Sequence, residues 1–305
     1  MRVLALDIGG TKLTAGIGGA DGEVSRQVVE PTRGSEGASV VLDRAVALAR
    51  RCYEAELAGG GRIAAVGVST MGYTRESHVE LSPNVPGWER LAIGATLTAA
   101  FPDEPIVIGN DVKLAARAEM TWGALRGVQE GIYLNLGTGI AAGIVAGGRL
   151  LEGAHGAAGE IGYTLHRGLA EPRMAAEGAA PLEEFYGGGG VARRLAGTGL
   201  PATVADLVER GADPAARAFL DELWTGIAAA AANLCIATDP SVLVLGGGYV
   251  RGESELLARV RTLVARAVPY PPEVLPARFG ADASLRGAVA AALAAPDRVP
   301  SPSPR

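Results

Sequence analysis

Two runs of this chain repeat one another, and the repeat constrains the fold more than any other feature. Residues 2–8 (RVLALDI) form an apolar, β-rich run that ends in Asp7, breaks at Gly9-Gly10 and resumes from Lys12 to Ile17. Residues 131–136 form a second such run, which breaks at Gly137-Thr138-Gly139 and resumes to Val145 before Gly147-Gly148. Each is a strand, a glycine turn with a threonine, and a second strand. Glycine accepts the tight backbone and leaves N–H donors open to an anionic ligand. Two such turns at equivalent places predict two similar α/β halves with a ligand cleft between them.

The rest of the pattern agrees with alternating strands and helices. Asp21-Gly22 marks a hairpin that leads into a strand over 23–30. Residues 38–58 carry apolar positions at helical spacing (Val41, Ala45, Leu48, Ala49, Cys52) and stop at Gly59-Gly60-Gly61. Runs 63–69 and 106–108 read as buried strands, and 112–125 as a helix. Residues 215–238 read as a long helix closed by Asp239-Pro240. A strand over 242–245 ends in Gly246-Gly247-Gly248, and 253–268 is helical. The Pro/Ser-rich tail 299–305 is expected to be disordered.

Composition removes several classes. With 305 residues, 48% hydrophobic and 20% charged, the chain suits one large domain or two moderate ones. A net charge of -5 offers no basic stripe for nucleic acid. Its two cysteines, Cys52 and Cys235, build neither a disulfide framework nor a metal cluster. The opening MRVLALDIGG lacks the pattern of a signal peptide. No unbroken apolar run reaches the ~20 residues of a spanning helix. The expectation is a cytoplasmic protein with no membrane contact.

The candidate chemistry sits at the turns. At Asp7-Ile8-Gly9-Gly10-Thr11-Lys12 the glycines admit a polyphosphate, and Thr11 and Lys12 add a hydroxyl and a cation. Asp7 at the strand end can hold Mg²⁺ through water. The spacing is neither a P-loop nor a dinucleotide fingerprint. Gly137-Thr138-Gly139 supplies donors for the other side of the phosphates. Asn110-Asp111 follows a short strand and opens a helix. Two readings of Asp111 stay open there: an N-cap, which Asp commonly fills, and a base that takes a hydroxyl proton in phosphoryl transfer.

Taken together, these stretches resemble the ROK (repressor, open reading frame, kinase) family of sugar kinases. The likeness runs in order through DIGGTK (7–12), PNVPGW (83–88), GNDVKLAARAE (109–119), LNLGTGIAAGI (134–144), GRLLEGAHGAAGEIGY (148–163), PLEEFYGGGG (181–190) and VLVLGGGY (242–249). The resemblance implies an α/β fold of the two-domain actin-like ATPase (ribonuclease H-like) kind with a central cleft. One domain would comprise 1–111 plus a C-terminal helix near 285–298, and a larger one 112–284. It implies ATP and Mg²⁺ as cofactors, a sugar or cyclitol as the acceptor, and a homodimer. By the same resemblance Asp111 is the catalytic base. Asp7, Gly9, Gly10, Thr11 and Lys12 are the first phosphate loop, and Gly137, Thr138 and Gly139 the second. Gly246, Gly247 and Gly248 lie beside adenosine. Asn84, Asn110, Glu160 and Glu183 bind acceptor hydroxyls, and Tyr163 stands where the family has a substrate-touching His.

The departures narrow the acceptor. Family kinases hold a structural zinc with that His and a Cys-rich segment, but residues 164–182 contain no cysteine. His155 and His166 cannot make a four-ligand site alone, so no zinc is expected. Tyr163 and the missing Pro-Gly-Pro near Ser69–Gly72 argue against plain glucose. The readings carried forward are a hexose 6-kinase, a kinase of an amino sugar or C7-cyclitol, and a sugar-responsive repressor. The last would need a winged helix-turn-helix ahead of the first phosphate loop, which here begins at residue 7.

Overall fold

The computed structural model describes residues 1–75, 78–80, 85, 87–166, 173–250 and 254–295. Asn84 and the 299–305 tail lie outside the described residues. The chain forms two compact units. The first holds Met1–Trp122, Glu152–Ala157 and the segment from Asp282; the second holds Gly123–Leu151 and Ala158–Ala281.

In the first unit β1 (Val3–Ile8), β2 (Lys12–Gly18) and β3 (Val24–Pro31) make an antiparallel meander. Helix α1 (Ala38–Ala58) follows, then β4 (Val66–Thr70), parallel to β1. A small hairpin of β5 (Tyr73–Arg75) and β6 (His78–Glu80) and helix α2 (Ile93–Ala100) precede β7 (Ile106–Asn110), parallel to β4. The sheet order is β3-β2-β1-β4-β7. β7 leads directly into α3 (Asp111–Trp122).

Every residue of β1 is buried, and alternate side chains face opposite layers. Leu4, Leu6 and Ile8 share a core with Val41, Leu42, Ala45 and Leu48 of α1. Val3 and Ala5 share another with Leu114 of α3 and with Leu285, Ala288 and Val289. These last three belong to the C-terminal helix, which is the ninth of the described helices (Ala283–Leu293).

The second unit repeats the plan. β8 (Gly131–Leu136), β9 (Ile140–Ala146) and β10 (Arg149–Leu150) form an antiparallel meander. Short helices α4 (Pro181–Tyr186), α5 (Gly188–Leu195) and α6 (Val204–Glu209) lead to the long α7 (Pro214–Thr238). β11 (Val242–Gly246) pairs in parallel with β8, α8 (Glu255–Ala267) follows, and β12 (Glu273–Pro276) pairs in parallel with β11. The sheet order is β10-β9-β8-β11-β12, the same arrangement as in the first unit. The C-terminal helix, α9, then returns the chain to the first unit.

The duplicated hairpins and the long helices stand where their periodicity puts them. The short elements α4, α5, α6, β10 and β12 do not announce themselves, because Gly188-Gly189-Gly190 reads as a turn and prolines flank β12. Helix α7 bears on one expectation. By length and composition it is apolar enough to cross a membrane, but Arg217, Asp221 and Glu222 interrupt its apolar run. Its Leu220, Leu223, Trp224 and Ile227 are buried in the second core. Trp224 packs edge-on to Tyr249, with ring centroids 5.9 Å apart, so its ring fills the core.

At two glycines α9 packs directly on backbone, once against β4 of the first sheet and once against α3. A Cβ on Gly67 of β4 would fall 2.0 Å from the Ala288 carbonyl oxygen, and one on Gly287 would fall 1.8 Å from that of Leu114. Gly67→Ala is therefore expected to lower stability by about 1–3 kcal/mol, the usual cost of overpacking. Gly94→Ala on α2 meets nothing nearer than Ile108 Cδ1 at 3.8 Å and serves as the control. Chemical denaturation of the two variants checks this: equal midpoints would contradict the packing account.

Candidate active site

Parallel strands carry ligand-binding groups at their carboxyl ends, and in the first unit three such ends are level. Ile8 pairs with Thr70, and Thr70 with Asn110. At about 4.8 Å per strand, the first glycine turn and Asn110 stand roughly 10 Å apart along one sheet edge. The turn is braced from its own backbone: Gly9 N–H donates to Lys12 O at 3.0 Å, and Thr32 Oγ1 donates to Gly9 O at 2.6 Å.

Asp7 faces the α9 side of the sheet by the alternation of β1. Ser284 Oγ, from the first turn of α9, donates to Asp7 Oδ2 at 2.9 Å. Burial pushes the Asp7 carboxyl above the usual range, while Ser69, Ser284 and Lys12 pull it back and Asp282 adds to the rise. A buried carboxylate with so little solvent is a fitting hard-oxygen partner for a divalent cation. Ser284 is a contact that nothing near Asp7 in the sequence announces.

At the start of α3 the cap falls to Asn110 and not to Asp111. Asn110 is the cap: its Oδ1 accepts the N–H groups of Val112 (3.0 Å) and Lys113 (3.1 Å), and its Nδ2 donates to Gly72 O at 2.9 Å. Asp111 is the first helical residue, with Oδ1 2.8 Å from the Val112 nitrogen. Its carboxylate thus stands at the N-terminal end of α3. Two residues on, Lys113 is buried. Its Nζ donates to the carbonyl of Gly156, reaches Glu152 Oε2 at 3.1 Å, and so holds the segment Glu152–Ala157 to the first unit. Apart from Lys12, it is the chain's only lysine.

In the second unit the two later glycine loops touch. Gly246 of β11 pairs with Asn135 of β8, and Tyr249 N–H donates to Leu136 O at 2.9 Å. At Gly247 (φ +88°) a Cβ would sit 2.3 Å from Leu136 O, so only glycine allows the approach. Of the predicted acceptor residues of this unit, Glu183 lies against the Gly137–Gly139 turn. Glu183 Oε2 accepts the Ile140 N–H at 2.8 Å, immediately after Gly137-Thr138-Gly139. Glu160 and Tyr163 bracket a single 3-10 turn, closed by Tyr163 N–H to Glu160 O at 3.2 Å. Burial raises the Tyr163 phenol, and the nearby Glu160 and Glu183 carboxylates raise it further, so it stays a hydrogen-bond donor at neutral pH. The predicted residues thus fall into two groups, Asp7 to Lys12 with Asn110 and Asp111 in the first unit, and the remainder in the second; Asn84 is not among the described residues. Among the described residues no group of three His, Cys, Asp or Glu side chains forms a metal cluster.

The paired β-β-β-α-β-α-β plan, with a glycine turn in each first hairpin, is the actin-like ATPase fold. Solved structures agree. A ROK hexokinase from Thermus thermophilus superposes with a TM-score of 0.77 at 32% identity, covering 96% of this chain and 98% of that one. A ROK glucokinase from Streptomyces griseus, in complex with glucose and AMPPNP, gives 0.79 at 27% identity, with 96% and 99% covered. The chain belongs to the ROK family, whose profile matches residues 3–295, and this region is an ATP-dependent carbohydrate-kinase domain. It is 32% identical over 297 residues to an N-acetylmannosamine kinase of Escherichia coli O139:H28, with 94% of this chain and 97% of the relative aligned. It also matches the bifunctional enzyme NanE/NanK of Brucella melitensis at 30% identity, where 93% of the chain spans 52% of the longer protein.

Glu183 gives a pH signature. Burial is the main cause raising its carboxyl above 4.5, with the Ile140 N–H opposing and Glu184 adding. A carboxyl raised on folding contributes full stability below its unfolded value, and that contribution is lost as pH climbs through the folded value. Glu183→Gln, which stays neutral, is thus expected to gain melting temperature over the parent at pH 8, and the gain should shrink toward pH 4.5. Melting curves across this range check it; a pH-independent difference would contradict the burial effect.

Proposed function

We propose that this chain transfers the γ-phosphoryl group of ATP to a primary, 6-type hydroxyl of a hexose-like acceptor, with Asp111 as general base. The single observation that carries the reading is the division of roles at α3: Asn110 caps the helix, and the Asp111 carboxylate stands at the first helical position. In the step, the acceptor O–H proton passes to Asp111 and the acceptor oxygen bonds to the γ-phosphorus. The bond from phosphorus to the bridging oxygen breaks, releasing ADP. Gly9, Gly10, Thr11 and Lys12 receive phosphate oxygens, as do Gly137, Thr138 and Gly139, while Gly246, Gly247 and Gly248 flank the adenosine. Mg²⁺ near Asp7 would neutralise phosphate charge.

The acceptor is read as an amino sugar rather than glucose. Asn84, Asn110, Glu160, Glu183 and Tyr163 are its proposed ligands. Two carboxylates and one phenolic donor suit a substrate with several N–H and O–H groups, since each unpaired buried one costs about 1–3 kcal/mol. N-acetylmannosamine, the acceptor named for the Escherichia coli relative, belongs to this class. No structural zinc takes part.

Asp111→Asn is expected to lower kcat by about 10²–10⁴-fold, the usual worth of a general base, while ADP still binds. The parent should need Mg²⁺ and keep its activity in the presence of a zinc-selective chelator. Activity of the variant within a few-fold of the parent would remove Asp111 from the role. A panel of glucose, glucosamine, kanosamine, N-acetylmannosamine and valiolone-type cyclitols, read by ADP release, tests the acceptor. An amino sugar is expected to give the highest kcat/KM; glucose ahead by about tenfold, ~1.4 kcal/mol at the transition state, would restore a plain glucokinase.

A further inference from the structure

Three features converge on Glu183. Its Oε2 accepts the N–H of Ile140, the first residue after the second glycine turn. Glycines close around it: a Cβ on Gly139 would lie 2.8 Å from Oε2, one on Gly162 would lie 3.1 Å from the Glu183 Cβ, and one on Gly187 would lie 2.9 Å from its Cγ. The turn is also clasped from behind, because Gly188 N–H is shared between Gly137 O at 2.9 Å and Thr138 O at 3.1 Å. Gly187 N–H in turn donates to the Glu183 carbonyl at 2.8 Å.

These contacts give Glu183 work beyond touching an acceptor. We infer that Glu183 is a positioning residue for the nucleotide. One carboxylate oxygen fixes the end of the Gly137–Gly139 turn, and the α4–α5 junction fixes the turn's carbonyls. The Gly137 N–H closes back on Gly139 O at 3.2 Å, so the turn, with its carbonyls engaged on one side, offers the N–H groups of Thr138 and Gly139 to a phosphate on the other. A turn held this way is organised before the nucleotide arrives and gives up little entropy on binding it. The inference rests on the kinase reading above and deepens it: the side chain assigned to the acceptor also sets the affinity for ADP and ATP.

The test separates the two roles by measuring nucleotide alone. Fluorescent ADP is titrated, without acceptor, into the full chain and into Glu183→Ala, Glu183→Gln and Tyr270→Phe. The Ala variant, lacking any acceptor for Ile140 N–H, is expected to bind ADP about fivefold more weakly, as loss of one such hydrogen bond gives. The Gln variant keeps a carbonyl for that N–H and should stay within about twofold, as should Tyr270→Phe, a change at a side chain that is 78% exposed. Backbone hydrogen exchange at Ile140 provides the structural readout: faster in the Ala variant, near the parental rate in Gln. If Glu183→Ala folds poorly, exchange at Ile140 in a folded Glu183→Asp variant, whose shorter arm falls short of the N–H, should still quicken. Unchanged ADP affinity together with unchanged Ile140 exchange overturns the inference. If the parent itself binds no ADP, the kinase reading falls first and takes the inference with it.

Discussion

The close approach of α9 to the first sheet and to α3 is the constraint on which the placement of Asp7, Asn110 and Asp111 depends. Two glycines make it possible, Gly67 beneath Ala288 and Gly287 beneath Leu114. One helix from the end of the chain thereby fixes two things at once. It presses on β4 between the strands that bear Asp7 and Asn110, and it holds α3, whose first residue is Asp111. It also delivers Ser284 to Asp7. Backbones packed this tightly have few alternative arrangements, because interiors deform little without losing dispersion contacts.

In the second unit the same role falls to a carboxylate and its surrounding glycines. The Gly137–Gly139 turn has little side-chain mass of its own to hold it. Glu183, Gly187 and Gly188 supply the contacts that it lacks, and the Gly246–Gly248 loop abuts it through Leu136. The cost is a carboxylate buried enough to have its proton affinity raised. Proteins keep such groups where position matters more than stability.

The residues beside these turns show why residue type alone does not settle a role. Asn110 and Asp111 are both good capping residues, and only one can occupy the cap. Asn110 takes it because its Nδ2 is also satisfied by Gly72 O, two residues beyond the end of β4. That leaves the more basic of the two groups one position further on, at the N-terminal end of α3. Lys113, on the same helix, is held inside by the Glu152–Ala157 segment, whose sequence distance from α3 hides the pairing.

What the sequence by itself determined is local and periodic. The doubled strand–glycine–strand pattern, the helix over 38–58, the long apolar helix before Asp239 and the carboxylate opening α3 are all legible, because period-two and helical spacing and glycine punctuation act over a few residues. The motifs in their order also carried the family and, with it, the fold. What only the tertiary structure decided is which of those groups meet: Ser284 on Asp7, Lys113 on the 152–157 segment, Glu183 on the second turn, and Asn110 rather than Asp111 as the cap. Each is a contact between residues from separate elements, set by packing of whole layers, and no local rule of spacing contains it.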